Sequence, residues 1–336
     1  FFSRSPLGHS APKIAADLMG AKTIGVPLRT DWASSSGDWT LDLEELDAAM
    51  SEKTKMLVLN TPHNPTGKVF TRDELKGISD VVMRYPNVTV LSDEVYEFMT
   101  FDGLKHERIA TLPGMWERTL SVYSAGKTFS ATGWRVGYVV GPQPLITPLV
   151  RVHQASNFCT PSALQIAIAI ALREVRVSVQ QNFEIEEVQA SFPPPALPRH
   201  THTQAEKENY WETLSTFLER KRDRLCKLLR LANLVPIVPQ GGYFVLTDTS
   251  RILVSTDYET WEPPQDLALE EHRDFKVCQL LTERAGVSAI PTSAFYGQEH
   301  RHITDCLARF CFAKTDETLD KAYRRIIYSG LSQMPV

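Results

Sequence analysis

A lysine within a run of small residues is the first candidate for chemistry in this chain. The run Ser-Ala-Gly-Lys-Thr occupies positions 124–128, and Arg135 follows shortly after it. A lysine that forms a Schiff base must be buried and rigidly held, so that its amine can be neutral and nucleophilic near pH 7. Ser124 and Arg135 offer a hydroxyl donor and a planar cation, and both suit a phosphate group. Lys127 by itself would more often be a surface lysine, so its interpretation depends on other motifs.

A carboxylate, a tyrosine and an asparagine precede that lysine. Asp93 and Tyr96 belong to the run Asp-Glu-Val-Tyr, and Asn64 belongs to the turn Asn-Pro-Thr-Gly. A buried carboxylate keeps a pyridine nitrogen protonated, because the opposite charge favours the cationic form. The protonated ring then draws electrons from the alpha carbon of a bound substrate. Tyr96 and Asn64 can each donate a hydrogen bond to a phenolate oxygen of the same ring. Read alone, Asp93 is more often a helix cap and Tyr96 a core aromatic.

An arginine near the end of the chain completes the set. Arg309 opens the run Arg-Phe-Cys-Phe at positions 309–312. Its guanidinium can form a bidentate hydrogen bond with a carboxylate, so Arg309 is a candidate for binding the carboxylate of a substrate. As an isolated residue it would more often be a salt-bridged structural arginine. Cys311, between two phenylalanines, is predicted to be a small buried hydrophobe.

The first half of the chain alternates strands and helices. Apolar runs at 55–60, 88–91 and 119–123 predict strands, and Thr71 with Glu74 predicts a capping box that opens a helix ending near Tyr85. Such alternation indicates an α/β fold with a mostly parallel sheet and helices on its faces. Ligands of these sheets lie beyond the carboxyl ends of the strands. Asn64, Asp93 and Ser124 follow the three predicted strands, which supports a shared site.

The second half predicts long helices at 164–173 and 210–232, strands at 241–246 and 307–312, and helices at 274–285 and from Thr315. We expect a partial large domain at 1–150, a hinge at 143–156, and the remaining large-domain helix with a smaller α+β domain at 151–336. The segment 175–204 contains the run Phe-Pro-Pro-Pro-Ala-Leu-Pro and fits neither domain. Two hypotheses for this insert, a translated intron and an ordinary disordered loop, carry similar weight.

Composition excludes several classes of protein. The chain has 336 residues, 43% hydrophobic and 23% charged, as is typical of a globular protein of more than one core. Its formal charge of -4 argues against a nucleic-acid surface, and no apolar run is long enough to cross a bilayer. The five cysteines form no Cys-x-x-Cys pair, which disfavours a metal site or a disulfide framework. We therefore expect a reducing compartment, the cytoplasm, with the mitochondrion as the alternative.

The order of the motifs resembles a known family. Asn-Pro-Thr-Gly, Ser-Asp-Glu-Val-Tyr, Ser-Ala-Gly-Lys-Thr-Phe-Ser and Arg-Phe-Cys-Phe follow one another as in the fold-type I, class I/II aminotransferases that depend on pyridoxal 5'-phosphate (PLP). The runs at 59–69, 112–119 and 241–244 (Gly-Gly-Tyr-Phe) are similar to the kynurenine aminotransferases, also called glutamine transaminase K or cysteine-S-conjugate beta-lyases. The resemblance extends from Gly20 to the C-terminus, apart from the segment 175–204. It implies fold type I with a smaller α+β C-terminal domain.

The resemblance also implies a cofactor and residue roles. PLP would be held by Lys127, which would also shuttle the substrate proton, and Arg309 with Asn64 would bind the substrate. The other implied cofactor contacts are Asp93 at the pyridine nitrogen, Tyr96 and Asn64 at the ring oxygen, Ser124 and Arg135 at the phosphate, and Phe2 stacked on the ring.

Two functional hypotheses remain. The first is a transaminase that moves an amino group from kynurenine, glutamine or an aromatic amino acid to a 2-oxo acid, with possible beta-lyase activity. The family works as a homodimer, so a homodimer is expected of the full-length protein. The second hypothesis is an inactive truncated or mis-spliced chain that acts at most as a non-catalytic partner. It follows from the start at Phe1, without Met, where the family's N-terminal arm and glycine-rich turn are expected.

Overall fold

The computed structural model describes residues 11–30, 33–182, 210–252 and 272–331. Phe2 and the proline-rich run at 192–198 lie outside these ranges. The first described elements are short: α1 (Ala11–Leu18), β1 (Leu28–Arg29), β2 (Thr40–Leu41) and α2 (Leu43–Ala48). β1 and β2 pair antiparallel.

A four-stranded sheet forms the centre of the first half. β3 (Met56–Asn60), β4 (Thr89–Asp93) and β5 (Thr119–Ser124) run parallel, and β6 (Gly137–Val140) lies antiparallel beside β5. The three parallel strands are the three apolar runs, so those predictions are confirmed. Because parallel strands need crossover connections, their carboxyl ends lie at one edge of the sheet.

α3 (Arg72–Val82) begins as predicted and ends earlier than predicted. The Thr71 side chain accepts from the Glu74 amide, and the Glu74 side chain accepts from the Thr71 amide, which confirms the capping box. The helix ends at Val82 rather than near Tyr85. Arg118 donates to the carbonyl oxygens of Val82 and Tyr85, at and just past the end of the helix.

The second half has a separate antiparallel sheet in the order β7 (Val235–Ile237), β8 (Phe244–Asp248), β10 (Leu307–Cys311) and β9 (Ile290–Pro291). α7 (Tyr210–Leu231), α8 (Arg273–Ala285) and α9 (Asp316–Tyr328) contribute buried leucines, isoleucines and valines to its core. This arrangement confirms the predicted α+β character.

The alternation along β10 corrects one prediction. Ala308 and Phe310 are buried in the core, as is Phe312 just past the strand. Arg309 and Cys311 therefore share the opposite face, because successive side chains point to opposite sides of a strand. Cys311 is only partly buried, so its predicted place in the core is wrong.

Two long helices follow the first sheet. α5 (Gln143–Ser156) covers the predicted hinge at 143–156, and the expected division at residue 150 falls inside this helix, so both stay predictions. α6 (Ser162–Asn182) continues past Arg173 into the segment expected to be an insert from Val175. The rest of that segment, from residue 183, lies outside the described residues.

Candidate active site

The ends of the parallel strands come together as the sequence predicts. Asn60 is the register partner of Asp93 across β3 and β4. The Asn60 amide donates to the Asp93 carbonyl at 2.9 Å, and its oxygen accepts from the Asn64 backbone N–H at 2.8 Å. Asn64 is therefore held beside the end of β4 by a side chain of β3.

Lys127 lies in α4 (Ala125–Thr128), a single turn that begins where β5 ends. Its Nζ donates to the Tyr243 hydroxyl at 2.7 Å and stands 5.9 Å from the centre of the Tyr96 ring. The Tyr96 and Tyr243 rings meet edge to face with 5.2 Å between their centres. The amine is thus bordered by two aromatic rings and one hydroxyl.

Asp93 is a largely desolvated carboxylate at the end of β4. Burial raises the pKa of Asp93 above its ordinary value, and the charge of Glu94 raises it further. The backbone amide of Val95 and, more weakly, the charge of Lys127 act in the opposite direction. Val95 donates to Asp93 Oδ1 at 3.3 Å, which is a long hydrogen bond. A carboxylate in this state would be stabilised by a cationic ligand atom.

Tyr96 supplies a neutral phenol close to the same strand end. Its side chain is buried, and burial first, then the neighbouring Tyr243 and Asp93, raise the pKa of Tyr96 well above its ordinary value. The hydroxyl therefore keeps its proton at neutral pH and can donate a hydrogen bond.

Arg309 reaches the site from β10 of the second sheet. One of its Nη atoms donates to the Asn64 side-chain oxygen at 2.7 Å. Its guanidinium carbon lies 4.0 Å from the centre of the Phe244 ring and 4.8 Å from that of Phe295. Burial lowers the pKa of Arg309, and the groups that oppose this are side chains of Tyr96, Cys311 and Tyr243, none of them a carboxylate.

The Nε atom of Arg309 is buried without a hydrogen-bond partner. A buried donor that lacks an acceptor costs free energy, which a ligand can recover by supplying one. A guanidinium with one free edge and aromatic rings on its face is suited to bind a carboxylate.

Ser124 and Arg135 lie at the same end of the sheet as Lys127. Ser124 is the register partner of Gly137 across β5 and β6, and Arg135 comes two positions before that glycine. Arg135 has a left-handed backbone with φ 56° and an exposed side chain that donates to the Thr132 carbonyl at 3.5 Å. The structure brings these two residues near the lysine, whereas Phe2 lies outside the described residues.

Two glycines explain how the second sheet meets the first. Gly67, in the turn that holds Asn64, accepts a 2.9 Å hydrogen bond from the amide of Gly241. Gly67 has φ +75°, and a Cβ there would stand 2.4 Å from the Pro239 side chain. The Asn-Pro-Thr-Gly turn and the Gly-Gly-Tyr-Phe run are therefore in direct contact, and a larger residue at Gly67 would separate them.

Sequence reasoning missed a buried polar cluster behind Asp93. Glu94 is fully buried and accepts from His106 at 2.8 Å, Ser121 at 3.0 Å and Tyr123 at 3.2 Å, while Arg108 lies 3.4 Å away. Burial alone would raise the pKa of Glu94, but the hydrogen bond and charge of His106 bring that pKa below its ordinary value. The only signal in the sequence was the position of Glu94 next to Asp93.

Sequence reasoning also gave no role to Tyr243. The run Gly-Gly-Tyr-Phe served only as part of a family resemblance, and its contact with Lys127 joins residues 116 positions apart. No local pattern contains such a contact.

These groups fit PLP. The half-buried carboxylate of Asp93 suits its pyridine nitrogen, the neutral phenol of Tyr96 suits its ring oxygen, and the amine of Lys127 suits its aldehyde. Within the described ranges, His, Cys, Asp and Glu side chains form no group of three that could hold a metal ion. In the same part of the chain, every helix is too short or too polar to cross a membrane.

The chain is similar to known aminotransferases. Residues 5–192 and 188–326 match the family described as aminotransferase class I and II. The chain is 42% identical over 299 residues to a kynurenine–oxoglutarate transaminase of Dictyostelium discoideum, which covers 89% of this chain and 62% of that protein. It is 40% identical over 311 residues to kynurenine–oxoglutarate transaminase 3 of Homo sapiens, covering 91% and 61%.

Among solved structures, Bna3p of Saccharomyces cerevisiae superposes with a TM-score of 0.77 and 30% identity, covering 95% of this chain and 69% of that one. The chain spans about three fifths of the length of the curated relatives.

Proposed function

Since this chain belongs to the class I and II aminotransferases, we propose that it binds PLP through Lys127 and transfers an amino group from an amino acid to a 2-oxo acid. Kynurenine, glutamine and aromatic amino acids are the proposed donors, in keeping with the names of the similar proteins. A cysteine S-conjugate, which carries a leaving group on its beta carbon, is a proposed substrate for beta-elimination at the same site.

One observation carries the proposal: a lysine amine, a half-buried carboxylate and an arginine come together from distant parts of the chain. The Nζ of Lys127 lies between the Tyr96 and Tyr243 rings. Asp93 is three residues from Tyr96, and Arg309 is tied to Asn64 at 2.7 Å. The arrangement places a base, an anion and a cation around one cleft.

Each side chain has a distinct task in this proposal. When bound, PLP supplies an electron sink for the alpha carbon of the substrate. The Asp93 carboxylate would hold a proton at the ring nitrogen, since its own desolvation favours a cationic neighbour. The Tyr96 hydroxyl and the Asn64 amide would donate to the ring oxygen.

The substrate side depends on Arg309 and Lys127. Arg309 would bind the alpha-carboxylate through the edge of the guanidinium that carries its unpaired Nε. The rings of Phe244 and Phe295 keep water from the face of the guanidinium. The Lys127 amine would take the alpha proton and return it, a general-base role for a positioned amine. Ser124 and Arg135 would hold the phosphate, and Phe2 would stack on the ring.

The first experiment tests cofactor retention. Purified chain is incubated with PLP, desalted, and examined by absorption before and after borohydride. We expect a retained near-visible band that borohydride traps on the peptide containing Lys127. Lys127→Ala should abolish the trapped adduct, whereas Lys105→Ala, at an exposed lysine, should leave it unchanged.

The outcomes are distinct. A wild-type chain that retains no band contradicts the proposal and supports a non-catalytic chain. With the band present, kynurenine should abolish it by giving its amino group to the cofactor, and 2-oxoglutarate should restore it by taking that amino group. Release of a thiol from a cysteine S-conjugate would measure beta-lyase activity. Adduct on another lysine contradicts the role of Lys127.

We further infer that the active unit is a homodimer. Several large apolar side chains stand exposed on α5, on α6 and between them: Val150, Val152, Phe158 and Ile166. Large apolar side chains exposed on neighbouring helices are the kind of surface that a partner subunit can cover. Light scattering of PLP-treated protein should give twice the chain mass, and a monomeric, cofactor-loaded and active chain would refute this.

A further inference from the structure

Tyr243 is the one side chain that donates to or accepts from the Lys127 amine within the described part of the chain, at 2.7 Å. It stands immediately before β8, and its backbone oxygen accepts from Phe312 at 3.1 Å. The residue is therefore anchored to the second sheet, whereas Lys127 follows a strand of the first. Their hydrogen bond crosses the cleft between the two sheets.

The side chain of Tyr243 lies between Lys127 and the aromatic ring that stacks on Arg309. It meets the Tyr96 ring edge to face at 5.2 Å and lies 4.4 Å from the ring of Phe244, which stacks on Arg309. Two neighbouring aromatic rings, those of Tyr96 and Phe244, thus fix the direction of the Tyr243 hydroxyl. A phenol fixed by packing on both sides can receive a flexible amine in one defined place.

We propose that Tyr243 is a positioning residue that receives the Lys127 amine whenever the amine is not covalently engaged. This inference rests on the proposed role of Lys127 as cofactor lysine and proton shuttle. Such a lysine must leave its covalent partner, carry a proton and return, and its long side chain would otherwise sample many rotamers. The Tyr243 hydroxyl holds the released amine at the cleft and limits that freedom.

The hydroxyl also limits the reactivity of the amine. The hydrogen bond holds the Lys127 amine against the Tyr243 side chain and so restricts the approach of a reagent to it. Removing the hydroxyl should therefore leave the amine freer to react.

The test uses the chain without cofactor, so it does not depend on PLP binding. Trace acetic anhydride labels lysines at pH 7.5, and mass spectrometry measures the rate at each lysine. Tyr243→Phe keeps the ring and removes only the oxygen, so we expect labelling of Lys127 to rise about five-fold. The control is Tyr85→Phe, which removes a hydroxyl that donates to Asp47 and lies far from Lys127 in the sequence. It should leave the labelling rate of Lys127 unchanged.

Lys68 reports on folding in the same experiment. It is buried and paired with Glu74 at 2.7 Å, so a folded variant keeps it protected. An unchanged rate at Lys127 in folded Tyr243→Phe overturns the proposal. Failure of wild-type chain to retain PLP would instead contradict only the proposed function, because the labelling rates are measured without it.

A reverse arm covers the case in which Tyr243→Phe does not fold. Lys127→Met removes the amine that donates to the phenol oxygen, so acetylation of Tyr243 by N-acetylimidazole should become about five-fold faster. Tyr328, which is 85% exposed, supplies the reference rate. Equal acetylation of Tyr243 in wild type and Lys127→Met overturns the proposal as well.

Discussion

Replacing Arg309 by methionine tests the substrate side of the site most sharply. Methionine keeps an unbranched chain of similar length that can still pack between Phe244 and Phe295, but it removes the guanidinium. The loss is therefore chemical rather than a loss of bulk. Asn64 keeps its backbone hydrogen bond to Asn60, so the turn that carries it should survive.

The size of the effect follows from the donors that are lost. A carboxylate gripped by two guanidinium N–H groups gains two charge-assisted hydrogen bonds, each contributing about 1.5–3 kcal/mol. Arg309 already has a buried Nε without an acceptor, so little existing bonding must be broken to form them. The lower end of the range, about 3 kcal/mol, corresponds to about 150-fold in a dissociation constant.

The assay is calorimetric titration of PLP-loaded chain with 2-oxoglutarate. We expect Arg309→Met to weaken binding about 150-fold and Arg309→Lys to weaken it less, because lysine keeps the charge but not the fork. Arg224→Met is the matched control, since Arg224 pairs with Asp320 on the surface. Arg309→Met with an affinity within about three-fold of wild type would refute the assignment of Arg309 to the carboxylate.

Three further predictions address Asp93, Glu94 and Arg222. Asp93→Asn should lower the rate of transamination about 100-fold or more, because an amide cannot neutralise a ring cation, while Lys127 still forms the trapped adduct. Steady-state rates measure the loss, and a fully active variant would contradict the prediction. The lowered pKa of Glu94 means that its stabilisation is present above pH 4.5, its ordinary value, and is lost as the pH falls through the lower folded value. The difference in the free energy of urea unfolding between wild type and Glu94→Gln should therefore become smaller below pH 4.5. A difference that does not change with pH would contradict this prediction. Arg222→Met should lower the free energy of urea unfolding by about 2 kcal/mol, since Arg222 is buried and donates to Asp102 at 2.9 Å. Arg224→Met, at an exposed arginine, should lower it much less, and equal losses would refute the prediction.

The sequence alone was enough for the elements that local patterns encode. The apolar runs before Asn60, Asp93 and Ser124 became parallel strands, and the pair Thr71 and Glu74 became a capping box. Apolar runs and caps act over a few residues, so they can be read without knowing what packs against them. Their order also carried the family, because each motif places one chemical group at a strand end.

Local patterns misjudged the elements whose surroundings decide their character. Local patterns did not predict that the region 143–156, expected to be a hinge after Gly141 and Pro142, forms one helix, for which a proline in the first turn is acceptable. Cys311 was expected in the core because phenylalanines flank it. Alternation along β10 instead places it on the face of Arg309, which faces the cleft.

What the sequence determined by itself was which residues could do chemistry: Lys127, Asp93, Tyr96, Asn64 and Arg309. What only the tertiary structure decided was which of them touch, and through what. The contact of Arg309 with Asn64 spans 245 positions and that of Lys127 with Tyr243 spans 116. Contacts at such separation depend on how two sheets dock, here through the Gly67–Gly241 hydrogen bond, and docking is a property of packed surfaces rather than of any short run of residues.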